Sequence, residues 1–296
     1  MKMKLKIGYL GPDSVTFGYM AAKKFFDSSK QVEYIAHPSH EQIALAVGRK
    51  TIDYGVLAIE NVIDGVISET IHAVEDVDGQ YGLSVCGEIA LPVHLYFLKK
   101  DNLTDLPKKV LSHISPINQS RKFVEGLRKQ GVAIEVRNST SEAAKEASEN
   151  SDIAVIAPLT ARGAYGLSLA HELSIEDEKN NMTRFWIIGK THSDRTGNDK
   201  TAFLVNLEHD QSGALWKSLH CFADEESGIN LNLLLIYPNP IPGKRWEYTF
   251  LLEFKGHILD PEMDAAYQRL RSSGLILGRP RFLGSYPDAI SGNPDD

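Results

Sequence analysis

Only two cysteines, Cys86 and Cys221, occur in 296 residues. They lie far apart in the chain, which excludes a disulfide framework and any CxxC metal or redox motif. No apolar run approaches the ~20 residues that a membrane-spanning helix needs. The lysine-bearing start leads straight into a strand pattern and Gly11-Pro12, with no apolar core of signal-peptide length. A cytoplasmic protein is the expectation. Positive charge is in the minority: 32 Lys and Arg against 39 Asp and Glu give a net charge of −7. That balance argues against general nucleic-acid or anionic-membrane partners, while leaving room for a local basic pocket. Also missing are GxGxxG after the first strand, GxxxxGK(S/T), HExxH and GxSxG. Dinucleotide, P-loop nucleotide, metal and α/β-hydrolase chemistry therefore have no support, and no cofactor or metal is expected.

What is present is an ordinary globular composition, 42% hydrophobic and 24% charged. The length suits two units, or one large α/β unit with an appendage. Up to about Gly189, short β-branched runs alternate with amphipathic stretches. Strands are expected over 5–10, 32–35, 54–59, 110–112, 133–136, 153–156 and 184–188, with two more runs between 81 and 97 broken at Leu91-Pro92. Helices are expected over 16–26, 39–47, 66–74, 116–129, 141–149 and 159–165. Such alternation predicts parallel α/β sheet. The polar stretch from Lys190 to Lys200 reads as a linker. Strands over 201–207, 230–236, 246–254 and 281–285, with helices over 213–222 and 261–272, then give the β-α-β-β-α-β order of a ferredoxin-like unit. The Ser-, Gly-, Asn-, Pro- and Asp-rich residues 291–296 read as a tail.

Several strand ends run into polar residues that open a helix. Leu10 precedes Gly11-Pro12-Asp13-Ser14, Ile59 precedes Glu60-Asn61, and Leu111 precedes Ser112-His113. Ser115 before Pro116 suits an N-cap followed by proline at the first helical position, and Ser139-x-x-Glu142 fits a capping box. Ligands of open α/β sheets sit beyond the carboxyl ends of strands, where helix N-termini present free N–H groups. The physics alone points to an anionic small molecule. Taken singly, each of these residues is also accounted for as a cap, turn or core group.

Taken in order, the same residues resemble a known family. Asn180-Asn181-Met182-Thr183-Arg184-Phe185, preceded by Ile175-Glu176-Asp177, closely resembles the Thr-Arg-Phe region of prephenate dehydratases. Upstream blocks at fitting spacing are similar too: Ala58-Ile59-Glu60-Asn61 with Gly65, Leu91-Pro92-Val93-His94, Ser112-His113 with Gln119, Ser139-Thr140-Ser141-Glu142, and Ala164-Tyr165-Gly166-Leu167. The C-terminal unit resembles the ACT regulatory domain that such enzymes carry. The resemblance implies an α/β fold: a periplasmic-binding-protein-type catalytic domain over 1–190, of two lobes with a cleft between them. A linker over 191–200 and a ferredoxin-like ACT domain over 201–290 would follow. It implies a lyase acting on the dianion prephenate, with Thr183, Arg184 and Glu60 as catalytic groups. Asn61, Ser112, His113, Gln119, Ser139, Thr140 and Phe185 are the implied substrate-binding groups. An amino-acid effector is implied at Gly213, Ala214, Leu215 and Asn230, as is a homodimer or homotetramer.

This chain departs from the family pattern in four places. The opening Gly11-Pro12-Asp13-Ser14-Val15-Thr16-Phe17 lacks the usual second Gly, and Val62 replaces the Ser common after Glu-Asn. Ile114-Ser115-Pro116-Ile117 looks more like the related prephenate decarboxylases, which lack the Thr that this chain keeps at 183. Leu235-Ile236-Tyr237-Pro238 stands in place of the ACT effector motif. Decarboxylation without dehydration, turnover of the amino analogue arogenate, and amino-acid sensing without catalysis are the alternatives.

Overall fold

The computed structural model of the chain describes residues 4–26, 31–103, 105–207, 212–223, 228–238 and 248–290. The expected tail over 291–296, and the first two residues of the strand expected over 246–254, lie outside them. The chain begins with β1 (Leu5–Leu10), α1 (Phe17–Phe26), β2 (Val32–His37), α2 (His40–Gly48), β3 (Tyr54–Asn61), β4 (Gly65–Val66), α3 (Ser68–Tyr81) and β5 (Ser84–Pro92). β1 pairs in parallel with both β2 and β3, as helical crossovers require. The turn after β1 needs Gly11: its φ is 124°, and a Cβ there would lie 2.3 Å from Thr16 Cγ2. Thr16 Oγ1 donates to the Leu10 carbonyl at 2.9 Å and accepts from Tyr19 N–H, capping α1.

The second lobe comprises β6 (Tyr96–Lys99), β7 (Lys109–Ser112), α4 (Ile114–Gln119), α5 (Arg121–Lys129), β8 (Ala133–Val136), α6 (Thr140–Glu149), β9 (Ile153–Ala157), α7 (Thr160–Tyr165) and β10 (Ser168–Leu169). Its strand order is β10-β6-β9-β7-β8. The continuous apolar run of β9 is explained by cover on both faces. Ile153, Val155 and Ala157 pack with Ala143, Ala144 and Ala147 of α6, whereas Ala154 and Ile156 pack with Ile117, Val124 and Leu127 of α4 and α5. β11 (Met182–Gly189) then returns to the first sheet, whose order is β2-β1-β3-β11-β5. The parallel expectation holds for β7, β8 and β9, but β6 runs antiparallel to both of its neighbours, β9 and β10. β6 follows β5 without a helical crossover, so nothing constrains it to the parallel sense.

The helix expected over 116–129 is two helices, α4 and α5. At Ser120 the backbone leaves the helical region (φ −129°, ψ 41°). Asp177 holds the break open: its carboxylate accepts from Arg121 N–H and Lys122 N–H at 2.8 and 3.2 Å, and its own N–H donates to the Gln119 carbonyl at 2.8 Å. A cap supplied from 55 residues away left no local signal. Beside it, the buried Glu176 accepts from Leu95 N–H at 3.0 Å and faces His94 at 3.1 Å.

The C-terminal elements are β12 (Asp199–Asn206), α8 (Ala214–His220), β13 (Leu231–Pro238), β14 (Tyr248–Lys255), α9 (Pro261–Ser272) and β15 (Arg281–Pro287), with all-antiparallel strand order β13-β14-β12-β15. Alternate residues Phe203 and Val205, and Phe250, Leu252 and Phe254, face Met263, Ala266 and Leu270 of α9. Two compact units emerge, Met1–Val77 with Ile89–Phe185, and Asp78–Glu88 with Trp186–Asp296. The division falls inside α3, β5 and β11 rather than at the linker expected over 191–200, whose last two residues already belong to β12. Within the second unit, Lys200 is buried against Glu88 at 2.7 Å and Asp288 at 3.0 Å, and backbone of β15 at Gly284 lies where a Cβ would come 2.1 Å from the Val85 carbonyl. Among the described residues no helix is long and apolar enough to cross a membrane.

Asp177→Ala removes the cap of α5 at a cost of about 1 kcal/mol. The melting temperature is expected to fall by about 2–4 °C, and an unchanged melt would remove Asp177 from that role. His40 gives a pH dependence. Thr70 Oγ1 spends its proton on the Ala58 carbonyl, so His40 Nδ1 donates to Thr70 (2.9 Å) and Nε2 stays bare. Burial lowers the His40 pKa to about 4, with Glu69 opposing. The unfolded chain then holds the extra proton between about pH 4 and 6.5, so stability falls on acidification through that window, by roughly 2–4 kcal/mol. Urea melts across the window are expected to show this slope in the wild type and a flatter one in His40→Gln.

Candidate active site

The end of β3 and the start of β11 lie side by side: Val62 N–H donates to the Met182 carbonyl at 3.0 Å. This pairing brings Asn61, 5% exposed, against Asn181 and Thr183, 0% and 8% exposed. The Asn61 amide Nδ2 donates to Asn181 Oδ1 at 2.9 Å, to Thr183 Oγ1 at 2.9 Å and to the Met182 carbonyl at 3.1 Å, three acceptors for two hydrogens. Its Oδ1 accepts from the N–H groups of Ile63 and Asp64, at 2.9 and 3.0 Å. Because those backbone groups only donate, Asn61 is turned with its N–H face toward Thr183. Thr183 Oγ1 therefore accepts from Asn61, which leaves its own O–H to donate in another direction. From the second lobe, Gln119 at the end of α4 joins in. Its Oε1 accepts from Asn181 Nδ2 at 2.9 Å and its Nε2 donates to Asp64 Oδ2 at 2.6 Å.

Beside this cluster, Arg184 Nη2 lies 3.3 Å from Glu60 Oε2, with the guanidinium buried and Glu60 partly exposed. Phe185 is a core residue, 2% exposed. Hence Asn61, Gln119 and Thr183 are brought together, with Glu60 and Arg184 as an adjoining pair. Asn181 and Asp64 belong to the cluster but were not singled out in the sequence. Asn181 stands within the Thr-Arg-Phe block and offered a signal by position; Asp64 offered none.

The other expected residues are placed elsewhere. Ser112 is fully buried and donates to the Ile156 carbonyl at 2.6 Å, a bond inside the sheet. His113, not Ser115, caps α4: its Nδ1 accepts from Ser115 N–H at 3.4 Å, so Ser115 and Pro116 lie in the first turn. Burial pushes the His113 pKa down and Asp64 opposes the shift. Ser139 caps α6 by accepting from Glu142 N–H at 3.0 Å, but Glu142 reaches Asn138 N–H rather than that of Ser139. Thr140 opens α6. Asp13, in the loop after β1, accepts from Val15 N–H at 3.0 Å, Ser141 Oγ at 2.7 Å and the Tyr165 hydroxyl. Burial, then the bond to Asp13, push the Tyr165 pKa up. In the C-terminal unit Gly213 (φ 80°) precedes α8, Ala214 is buried, Leu215 packs on the core, and Asn230 is exposed with its carbonyl accepting from Lys255 N–H. A cavity of about 250 Å³ is lined by Ile114, Ile117, Arg121, Val124 and Ile134, none of them in the Thr183 cluster. Among the described residues no group of three His, Cys, Asp or Glu side chains is arranged to hold a metal.

Known proteins resemble this chain along most of its length. The family model for prephenate dehydratase matches residues 7–193. The bifunctional chorismate mutase/prephenate dehydratase of Aquifex aeolicus is 32% identical over 290 residues, covering 98% of this chain and 75% of that protein. A crystal structure of prephenate dehydratase from Arthrobacter aurescens in complex with L-Phe aligns with a TM-score of 0.82 at 23% identity, covering 96% of this chain and 90% of that one. The structure of GqqA, described as a novel type of quorum quenching acylase, aligns with a TM-score of 0.78 at 23% identity over 95% and 97% of the two chains. At such identities the two structures show a common fold and do not choose an activity.

Asn61→Ala strands the Ile63 and Asp64 N–H groups and the Asn181 side-chain oxygen Oδ1. A loss of about 2–3 kcal/mol in stability is expected, measured by chemical denaturation. A change below the error of that measurement would show that water replaces the amide at no cost.

Proposed function

The chain belongs to the prephenate dehydratase family, and we propose that it converts prephenate to phenylpyruvate, in phenylalanine biosynthesis, with Thr183 as the donor to the departing hydroxyl. Prephenate carries a ring carboxylate and, para to it, a ring hydroxyl. Breaking the C–C bond to the carboxylate releases CO₂ and leaves an electron pair that enters the ring. The C–O bond breaks at the opposite carbon, and the hydroxyl departs with one added proton as water. Aromatisation drives the reaction, so the barrier lies in expelling a poor leaving group.

The single observation that carries the proposal is the Asn61 N–H to Thr183 Oγ1 bond. It occupies a lone pair of the threonine and makes its O–H a donor to whatever lies in front. A buried hydroxyl aimed in advance stabilises developing charge on the leaving oxygen without reorganising, which fits a group too weakly acidic to give up its proton in bulk water. Arg184 beside Glu60 supplies fixed positive charge for a carboxylate, and the free N–H groups at the start of α6 after Ser139 suit the other. Both Gln119 amide atoms are taken by protein groups, which favours an orienting role over direct substrate contact.

The C-terminal unit is read as an ACT-type regulatory domain, with the amino-acid site near Gly213, Ala214, Leu215 and Asn230. The Arthrobacter relative binds L-Phe. In this chain Leu235-Ile236-Tyr237-Pro238 predicts a weakened response to phenylalanine. A homodimer or homotetramer is part of the same reading.

Purified protein given prephenate at neutral pH is expected to form phenylpyruvate. Thr183→Ala should lower kcat by about 10²- to 10³-fold, and Thr183→Ser should retain most of it. A decarboxylated, non-aromatic product would move the chain to decarboxylation, and full turnover by Thr183→Ala would remove Thr183 from the mechanism.

A further inference from the structure

We propose that Asp64 is a positioning residue for Thr183, acting at a distance through Gln119, Asn181 and Asn61. The proposal deepens the dehydratase reading and rests on it for its kinetic readout.

An ionised carboxylate only accepts hydrogen bonds and a backbone N–H only donates, whereas a carboxamide does either according to how it is turned. Asp64 Oδ2 receives the Gln119 Nε2 hydrogen at 2.6 Å, which forces Gln119 Oε1 to the far side. There it meets Asn181 Nδ2 at 2.9 Å, so Asn181 Oδ1 must face Asn61, whose Nδ2 donates to it at 2.9 Å. The Asn61 oxygen is left to the N–H groups of Ile63 and Asp64, and the circuit closes on the turn where it began. Three amides thus stand in one sense, locked by an acceptor-only group at one end and donor-only groups at the other. Turning any one of them sets oxygen against oxygen or N–H against N–H at its neighbours. All of them point N–H toward the one formal charge in the chain, and aligned bonds of this kind polarise one another.

The consequence falls on Thr183. Asn61 presents hydrogen and not oxygen to Thr183 Oγ1, so the hydroxyl proton is committed to the substrate side. Asp64 touches neither Thr183 nor, in this reading, the reacting atoms. Its work is to keep Gln119 and Asn181 from turning, which reinforces the orientation that the backbone gives Asn61.

The test reverses the polarity at one link and then restores it. Gln119→Glu is nearly isosteric but sets a second carboxylate against Asp64, so the contact survives only when the pair holds a proton, and the pair's pKa is raised. With prephenate, kcat is expected to fall roughly 10-fold or more at neutral pH with little change in KM, and to recover as the pH is lowered. Adding Asp64→Asn in the same chain lets the new amide donate to the new carboxylate, which again presents an oxygen to Asn181. The double variant is expected to return to within about 3-fold of wild-type kcat, with no added pH dependence. A pH-independent loss in Gln119→Glu with no rescue in the double variant overturns the proposal. Thermal melts of the three proteins between about pH 5 and 8 follow the same circuit without substrate. The single variant should be destabilised at neutral pH and relieved in acid, and the double variant not. Wild-type protein that forms no phenylpyruvate would overturn the functional reading, and the melts would still decide the circuit.

Discussion

A carboxamide shut away from water must have both of its ends answered, and the site depends on that requirement at Asn61. Its oxygen is held by two backbone N–H groups of the following turn, and its nitrogen serves Asn181 and Thr183. Turned the other way, the amide would face N–H groups with N–H groups and leave a buried donor and acceptor unmet, a penalty that native structures rarely accept. The direction of one buried side chain thereby fixes which way a threonine hydroxyl can donate. In the proposed mechanism a weak acid serves through its orientation.

The rest of the first unit serves to bring distant pieces of chain to this amide. β3 delivers Asn61 and the turn to Asp64; β11 returns more than a hundred residues later with Asn181 and Thr183; α4 delivers Gln119 from the other lobe. The stop of α4 is set by Asp177, which caps α5 and donates its own N–H to the Gln119 carbonyl. Two residues that read as a mere prelude to Thr-Arg-Phe, Glu176 and Asp177, thus hold the second lobe's side of the site. Asp13 does comparable work near the start of the chain, where its carboxylate gathers Ser141 and Tyr165.

Fold and activity separate clearly here. A chain described as an acylase has nearly the same backbone arrangement, so two α/β lobes with a βαββαβ unit do not name a reaction. The ordered blocks of sequence are more specific, and the family model that matches residues 7–193 spans them.

Sequence alone determined most of the strand and helix order and the βαββαβ pattern of the last third, and it singled out Asn61, Gln119 and Thr183, which the fold brings together. Those features are written in local periodicity and in short motifs of fixed spacing. It also marked Ser112, Ser139 and His113 as interesting, but a hydroxyl or imidazole at a strand end looks the same whether it meets a ligand, caps a helix or bonds inside a sheet. Only the tertiary structure decided between these, giving Ser112 to Ile156 and His113 to the first turn of α4. It alone broke the helix at Ser120, set the unit boundary within β5 and β11, and brought Asp64 and Asn181 into the cluster. Each of those outcomes turns on a partner tens of residues away, and hydrogen-bond direction is a property of the assembled circle of groups rather than of any one of them.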